Sequence, residues 1–115
     1  MISGIHHLAI IASSEESVSF YSRLGFKEIY RNIRETDTVV ILEGYEIQLT
    51  LFIDPSHPKR AEEPENQGLR HLALKVDDCE EISRRYSCTP ITTDWFGVKY
   101  CYTKDPDGIP IQFHE

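Results

Sequence analysis

Apolar and polar positions along this chain switch between a strand-like and a helix-like spacing, and the switches mark its elements. Residues 5–12 form a dense apolar run of strand length. Ser13 with Glu16 three residues later has the form of a capping box. A helix then carries Val18, Phe20, Tyr21 and Leu24 before Gly25 stops it. Three short strands are expected near residues 26–31, 38–42 and 45–53, with Glu43-Gly44 as the turn between the last two. A second series follows. Residues 69–76 read as a strand, Asp77 as a cap, and Ile82 and Tyr86 as the apolar side of a helix. Strands are then expected near 91–94, 98–103 and 109–114. Asp105-Pro106-Asp107-Gly108 is a turn signal, because proline presets one φ angle and glycine supplies a positive one.

The two series are copies of one another. Gly4-Ile5-His6-His7-Leu8-Ala9-Ile10 returns as Gly68-Leu69-Arg70-His71-Leu72-Ala73-Leu74, an offset of 71 − 7 = 64 residues. Ile47-Gln48-Leu49 returns as Ile111-Gln112-Phe113, and 112 − 48 is again 64. Ser13 and Glu16 map onto Asp77 and Glu80 at the same offset. Internal repetition of this kind points to a duplicated supersecondary unit. The expected architecture is α+β: two βαβββ modules, residues 1–54 and 68–115, within one domain spanning 1–115. The connection, residues 55–67, is rich in charge and holds Pro55, Pro58 and Pro64, which disfavour helix and strand alike.

Strand parity decides which side chains can meet. On the first strand Leu8, Ile10 and Ala12 form an aliphatic face suited to packing on the helices, which leaves His7 on the opposite face. The repeat places His71 likewise. On the fourth strand Glu46, Gln48 and Thr50 are expected on a polar face, with Ile47, Leu49 and Leu51 buried. On the last strand Gln112 and His114 share a face. Taken singly, a strand histidine is more often a hydrogen-bonded or surface group, and a glutamine more often a solvent-facing amide. A His-plus-Gln pair reproduced at one offset points instead to a shared site, on which the four residues converge if a pseudo-twofold relates the halves. His6, unmatched by Arg70, and His57 read as surface residues.

Composition narrows the function classes. At 115 residues the chain can bury one core but not two independent ones. Its apolar runs are too short to span a bilayer, and the start lacks the basic-then-apolar form of a secretory signal. Net charge is −7 and the basic residues form no stripe, so neither nucleic acid nor an anionic membrane is an expected partner. Cys79, Cys88 and Cys101 are odd in number and lack CxxC spacing. They read as reduced thiols in a cytoplasmic protein, not as a disulfide framework or a zinc site.

These motifs, together with Phe20-Tyr21-x-x-Leu24-Gly25-Phe26, Val76-Asp77-Asp78 and Asp105-Pro106-Asp107-Gly108-Ile109-Pro110-Ile111-Gln112, resemble the vicinal-oxygen-chelate superfamily of glyoxalases, bleomycin-resistance proteins and dioxygenases. Within it the chain looks most like small bacterial lactoylglutathione-lyase-like proteins. The resemblance covers nearly the whole chain. It implies two modules whose curved mixed sheets form a cleft around a divalent metal. The first strand of each module supplies a His and the last strand a Glu. Carried over by motif, the metal positions are His7, Gln48, His71 and Gln112. Both carboxylate positions are Gln.

That departure bears on chemistry. Two His and two Glu nearly neutralise a divalent ion, whereas two His and two Gln leave its +2 charge standing. Amide oxygens are weaker donors, so affinity for zinc, nickel, iron or manganese falls. Gln also cannot carry a proton. Glu46 is the substitute base the parity offers. The resemblance implies a metal-dependent lyase or isomerase acting on a small oxygen-chelating substrate. The alternative is a metal-free small-molecule or antibiotic-binding module without turnover, in which Trp95, Phe96, Tyr100 and Tyr102 line a cleft. An oxygenase or thiol transferase ranks last. A homodimer is expected.

Overall fold

The computed structural model describes residues 1–61 and 65–115; Glu62, Glu63 and Pro64 of the expected linker lie outside the described residues. The chain divides into two compact units, Met1–Lys59 and Arg60–Glu115. In the first, β1 (Leu8–Ala12), α1 (Glu16–Arg23), β2 (Lys27–Ile33), β3 (Thr38–Gly44) and β4 (Ile47–Ile53) make a four-stranded sheet in the order β1-β4-β3-β2. In the second, β5 (Leu72–Lys75), α2 (Cys79–Arg85), β6 (Thr92–Thr93), β7 (Lys99–Lys104) and β8 (Pro110–His114) repeat that order as β5-β8-β7-β6. The fold is α+β, with βαβββ twice. In both units the first strand runs parallel to the last and the remaining neighbours are antiparallel.

The core of the first unit follows the aliphatic parity. Ile10 and Ala12 of β1, Val40 and Leu42 of β3, and Leu49, Leu51 and Ile53 of β4 are buried. Burying each of the Val, Leu and Ile side chains contributes about 1.5–3 kcal/mol. Helix α1 sets Ser17, Phe20 and Tyr21 against them, three positions on one face at helical spacing. In the second unit Cys101, Thr103, Ile111 and Phe113 fill the equivalent layer. Beneath α2 the Tyr86 ring lies 5.5 Å from that of Phe113.

Both helix starts differ from the sequence reading, α1 by two residues and α2 by one. At α1 the N-terminal position is Glu15, which makes no side-chain cap. Ser14 Oγ instead accepts the Glu16 amide at 3.2 Å. At α2 the cap is Asp78, not Asp77: its Oδ1 accepts the amides of Glu80 at 2.9 Å and Glu81 at 3.3 Å. Adjacent Ser or Asp pairs offer two candidates, and only backbone geometry chooses between them. Gly25 does end α1. Phe26 N–H donates to the Tyr21 carbonyl and Gly25 N–H to the Ser22 carbonyl, with Gly25 at φ +111°, a Schellman closure.

The β3–β4 turn is also displaced. Its corner residues are Tyr45 (φ +53°) and Glu46 (φ +64°), while Glu43 and Gly44 remain in β3. Gly44 looked like a turn glycine, yet its need is packing: a Cβ there would lie 2.9 Å from Phe26 Cδ1. The strain of two left-handed non-glycine residues is offset by Tyr45, whose hydroxyl donates to the Leu24 carbonyl and whose ring meets Phe26 edge-on at 5.3 Å. At the far edge, every residue of β2 is exposed, and a bulge at Ile29 interrupts its pairing with β3.

The Gly25 position yields a stability test. A Cβ there would collide with the Tyr45 hydroxyl at a backbone angle side chains rarely adopt. Gly25→Ala is expected to cost on the order of 2 kcal/mol, read as a lower urea midpoint with an unchanged slope.

Candidate functional site

In the first unit Leu8 stands opposite Leu49, so one step back along the parallel register brings His7 level with Gln48 on the face away from the core. His7 is exposed and Gln48 half-buried. His7 Nδ1 lies 2.9 Å from His6 Nδ1, the rings edge-to-face, so one nitrogen donates and the other accepts. His6, read from sequence as a surface residue, is therefore His7's partner. Glu46 is not beside Gln48 on the strand face. It is a corner of the β3–β4 turn, exposed, because the chain reverses two residues later than the Glu43-Gly44 signal suggested.

The second unit holds a denser cluster. Tyr102 stands opposite Gln112 across the β7–β8 pair, and its hydroxyl oxygen accepts both from Gln112 Nε2 at 2.9 Å and from Arg70 Nη1 at 3.0 Å. The His71 ring meets the Tyr102 ring edge-on at 5.3 Å. Arg70 Nη1 also lies 3.2 Å from His71 Nδ1. A guanidinium only donates, so Nδ1 accepts and the neutral ring carries its proton on Nε2. Burial first, and the Arg70 charge second, push the His71 pKa below its ordinary value, which favours that neutral form. The other edge of Arg70 forks onto Glu65, at 3.0 Å from Nε and 3.2 Å from Nη2.

The register here departs from the repeat. Leu8 faces Leu49, but its counterpart Leu72 faces Ile111 rather than Phe113. Gln112 thus lies level with Ala73, one same-face step beyond His71. Parity is preserved, and Tyr102 spans the step. Arg70 is the site residue that sequence reasoning missed, and Tyr102, expected among four cleft-lining aromatics, does line the cavity and also anchors Arg70. The signal for Arg70 was its break with His6 in an otherwise matched motif.

Around this cluster lies a cavity of about 640 Å³ belonging wholly to the second unit, lined among others by Arg70, His71, Tyr102, Cys88, Lys104 and Pro110. Farther along the same sheet face, His114 lies parallel to Tyr100 at 6.4 Å between ring centres. It contacts Asp94 Oδ2 at 2.9 Å through Nε2 and the Glu115 carbonyl at 2.7 Å through Nδ1. Asp94 also accepts the amides of Phe96 and Val98, which fixes the β6–β7 turn. Trp95 and Phe96 project from that turn at 88% and 81% exposure, unlike Tyr100 and Tyr102, which share the sheet face with Gln112.

The Glyoxalase/Bleomycin resistance protein/Dioxygenase superfamily profile matches residues 4–113. The chain belongs to this superfamily. An uncharacterised Escherichia coli (strain K12) protein, YaeR, is 35% identical to it over 122 aligned positions, covering 96% of this chain and 95% of YaeR. The crystal structure of a glyoxalase family protein from Enterococcus faecalis superposes with a TM-score of 0.86 at 35% identity over 97% of each chain. A lactoylglutathione lyase from Agrobacterium tumefaciens shares the fold at a TM-score of 0.69 and 19% identity, covering 99% of this chain and 94% of that one.

For a glyoxalase-superfamily chain the question is whether these residues suit a metal. Gln112 spends its amide N–H on Tyr102, which leaves Oε1 as a free acceptor of the kind a cation needs. The His6 contact at Nδ1 leaves His7 Nε2 open. His71 suits a metal on Nε2 once Arg70 gives up Nδ1, because that nitrogen must then carry the proton. Within each unit the His and the Gln therefore offer atoms of the kind a divalent ion takes, conditionally at His71 and, at His7, in the tautomer whose Nδ1 donates to His6.

Two measurements follow from these surroundings. Burial holds the thiols of Cys79 and Cys101 up at about 12 and about 11, and raises that of Cys88 as well. At pH 8 about one in 10,000 and one in 1,000 of the first two are thiolate. Cys88, which lines the cavity, is expected to alkylate first with iodoacetamide in the native protein, as read by peptide mass spectrometry. At Asp94, the Val98 amide foremost, then the His114 ring, hold the carboxyl below the ordinary carboxylate range. The stability it contributes is full above that range and is lost as pH falls through the depressed value. Asp94→Asn should thus unfold at lower urea than the wild type at pH 7, and the gap should narrow by pH 3.

Proposed function

We propose that the chain is a glyoxalase-type lyase or isomerase acting on a small oxygen-rich substrate, with a divalent metal (zinc, nickel, iron or manganese) held by His7, Gln48, His71 and Gln112. The observation that carries this reading is the gathering of His71, against the Tyr102 ring, and Gln112, on the Tyr102 hydroxyl, at the edge of a cavity of about 640 Å³. A polar cluster opening on such a cavity is the form a small-molecule site takes. When bound, the ion supplies Lewis-acid polarisation of a substrate oxygen. Tyr102, whose oxygen already receives two N–H groups, has its own proton free to donate to substrate. Neither Gln can move a proton, and Glu46 projects from a turn, which argues against it as the base. Superfamily membership supports a homodimer and a cytoplasmic location as parts of the same proposal.

One observation favours a second reading. The Arg70 hydrogen bond to His71 Nδ1 holds the ring in a tautomer with no lone pair on Nε2. In that state the cluster serves a metal-free small-molecule or antibiotic-binding module of the bleomycin-resistance type.

Metal content decides between them. Untagged protein should carry about one zinc, nickel, manganese or ferrous ion per chain at micromolar affinity, and the His7→Ala/His71→Ala double variant should carry none. Methylglyoxal–thiol adducts are the first substrates to assay. A wild type that binds no more metal than the variant leaves the binding-module reading in place.

A further inference from the structure

The chain carries a net charge of −7, yet among the described residues the cavity of the second unit is lined by Arg60, Arg70 and Lys104 and by one carboxylate, Glu65. Among the described residues Lys104 has no ion-pair partner for its ammonium group. Arg70 has one, and it is Glu65, whose two carboxylate oxygens meet Nε and Nη2 in the fork geometry that a guanidinium offers to any carboxylate. The pair is exposed, with side-chain accessibilities of 57% and 65%. A surface ion pair of this kind contributes only about 0–1 kcal/mol. Arg70 itself is placed firmly, by Tyr102 and His71.

We propose that the cavity binds the carboxylate end of a small anionic ligand on the Arg70 fork, with Lys104 taking a second negative group, and that Glu65 occupies the ligand carboxylate's place until it is displaced. The proposal deepens the reading of this cluster as a small-molecule site but needs no metal. A ligand anion enters a lining already polarised for it and gains a second cation that Glu65 does not engage. Glu65, on release, returns to water at little cost. The same displacement gives the bound ligand direct contact with the residue that orients His71.

The test is a titration of succinate into the whole protein in EDTA at constant ionic strength, followed by amide NMR shifts, with neutral succinamide as control. The EDTA makes the outcome independent of whether the His and Gln positions hold a metal. Succinate is expected to bind with millimolar affinity and to shift the amides of residues 70, 71, 102 and 104, while succinamide does not. Glu65→Gln removes the internal competitor and should tighten succinate binding by up to about fivefold, the factor to which the ~1 kcal/mol upper end of an exposed ion pair converts. Arg70→Gln should abolish binding, and Arg70→Lys, which keeps the charge but not the fork, should weaken it. The Glu65→Gln gain is decisive, because a merely destabilising substitution would not raise affinity. Unchanged or weaker binding in Glu65→Gln, equal binding of succinamide, or undiminished binding in a folded Arg70→Gln variant would overturn the proposal.

Discussion

In each unit the first strand pairs in parallel with the last, and the rest of the unit is what makes that pairing reachable. Parallel neighbours cannot be joined by a tight turn; the chain must cross over and return. Here the crossover is a short helix and an antiparallel meander, which together bury one face of the sheet and leave the other open. Because directly opposed residues on parallel strands point to the same side, a histidine just before the first strand and a glutamine on the last arrive on the open face together. The aliphatic face of Ile10, Leu49 and Leu51, and its counterpart of Cys101, Ile111 and Phe113, holds the pairing in place. The functional face is thus a by-product of the core.

Much of this was legible in the chain. Parity alone separated Ile10 and Ala12 from His7, the repeat supplied the order of elements, and the helix-stop signal supplied the glycine that ends α1. What parity does not encode is how far one strand slides along another. Leu72 facing Ile111 instead of Phe113 keeps every side chain on its expected face, so nothing in the alternation signals the shift. The misplaced turn has a different cause. Gly44 satisfies a close approach of Phe26 that involves residues distant in sequence, while Tyr45 adopts a glycine-like angle because a carbonyl and a ring hold it there. Local propensity lost to packing at both positions.

The amide at position 112 has a consequence within the second unit that involves no metal. A carboxylate at position 112 would accept the Tyr102 proton. The amide donates instead, so the Tyr102 oxygen can hold Arg70 and Gln112 at once. Arg70 turns its outer edge to Glu65 and its inner edge to His71. The electrostatics of the second unit form one connected set: a fixed cation, a neutral imidazole beside it, and a phenol oxygen between the arginine and the amide.

The open edge at β2 shapes how the protein behaves in concentrated solution. Seven consecutive residues expose both faces of an edge strand, and Ile29, Tyr30 and Ile33 among them are strongly apolar, a combination that ordinarily recruits a second strand and seeds precipitation. Two features restrain it: the bulge at Ile29 breaks the straight ladder a newcomer would copy, and Arg31, pinned by Glu28 and Glu15, sets a charged cluster in the middle of the segment. Neutralising that cluster would remove a gatekeeper, so the chain's resistance to precipitation depends on a few charged side chains at one sheet edge.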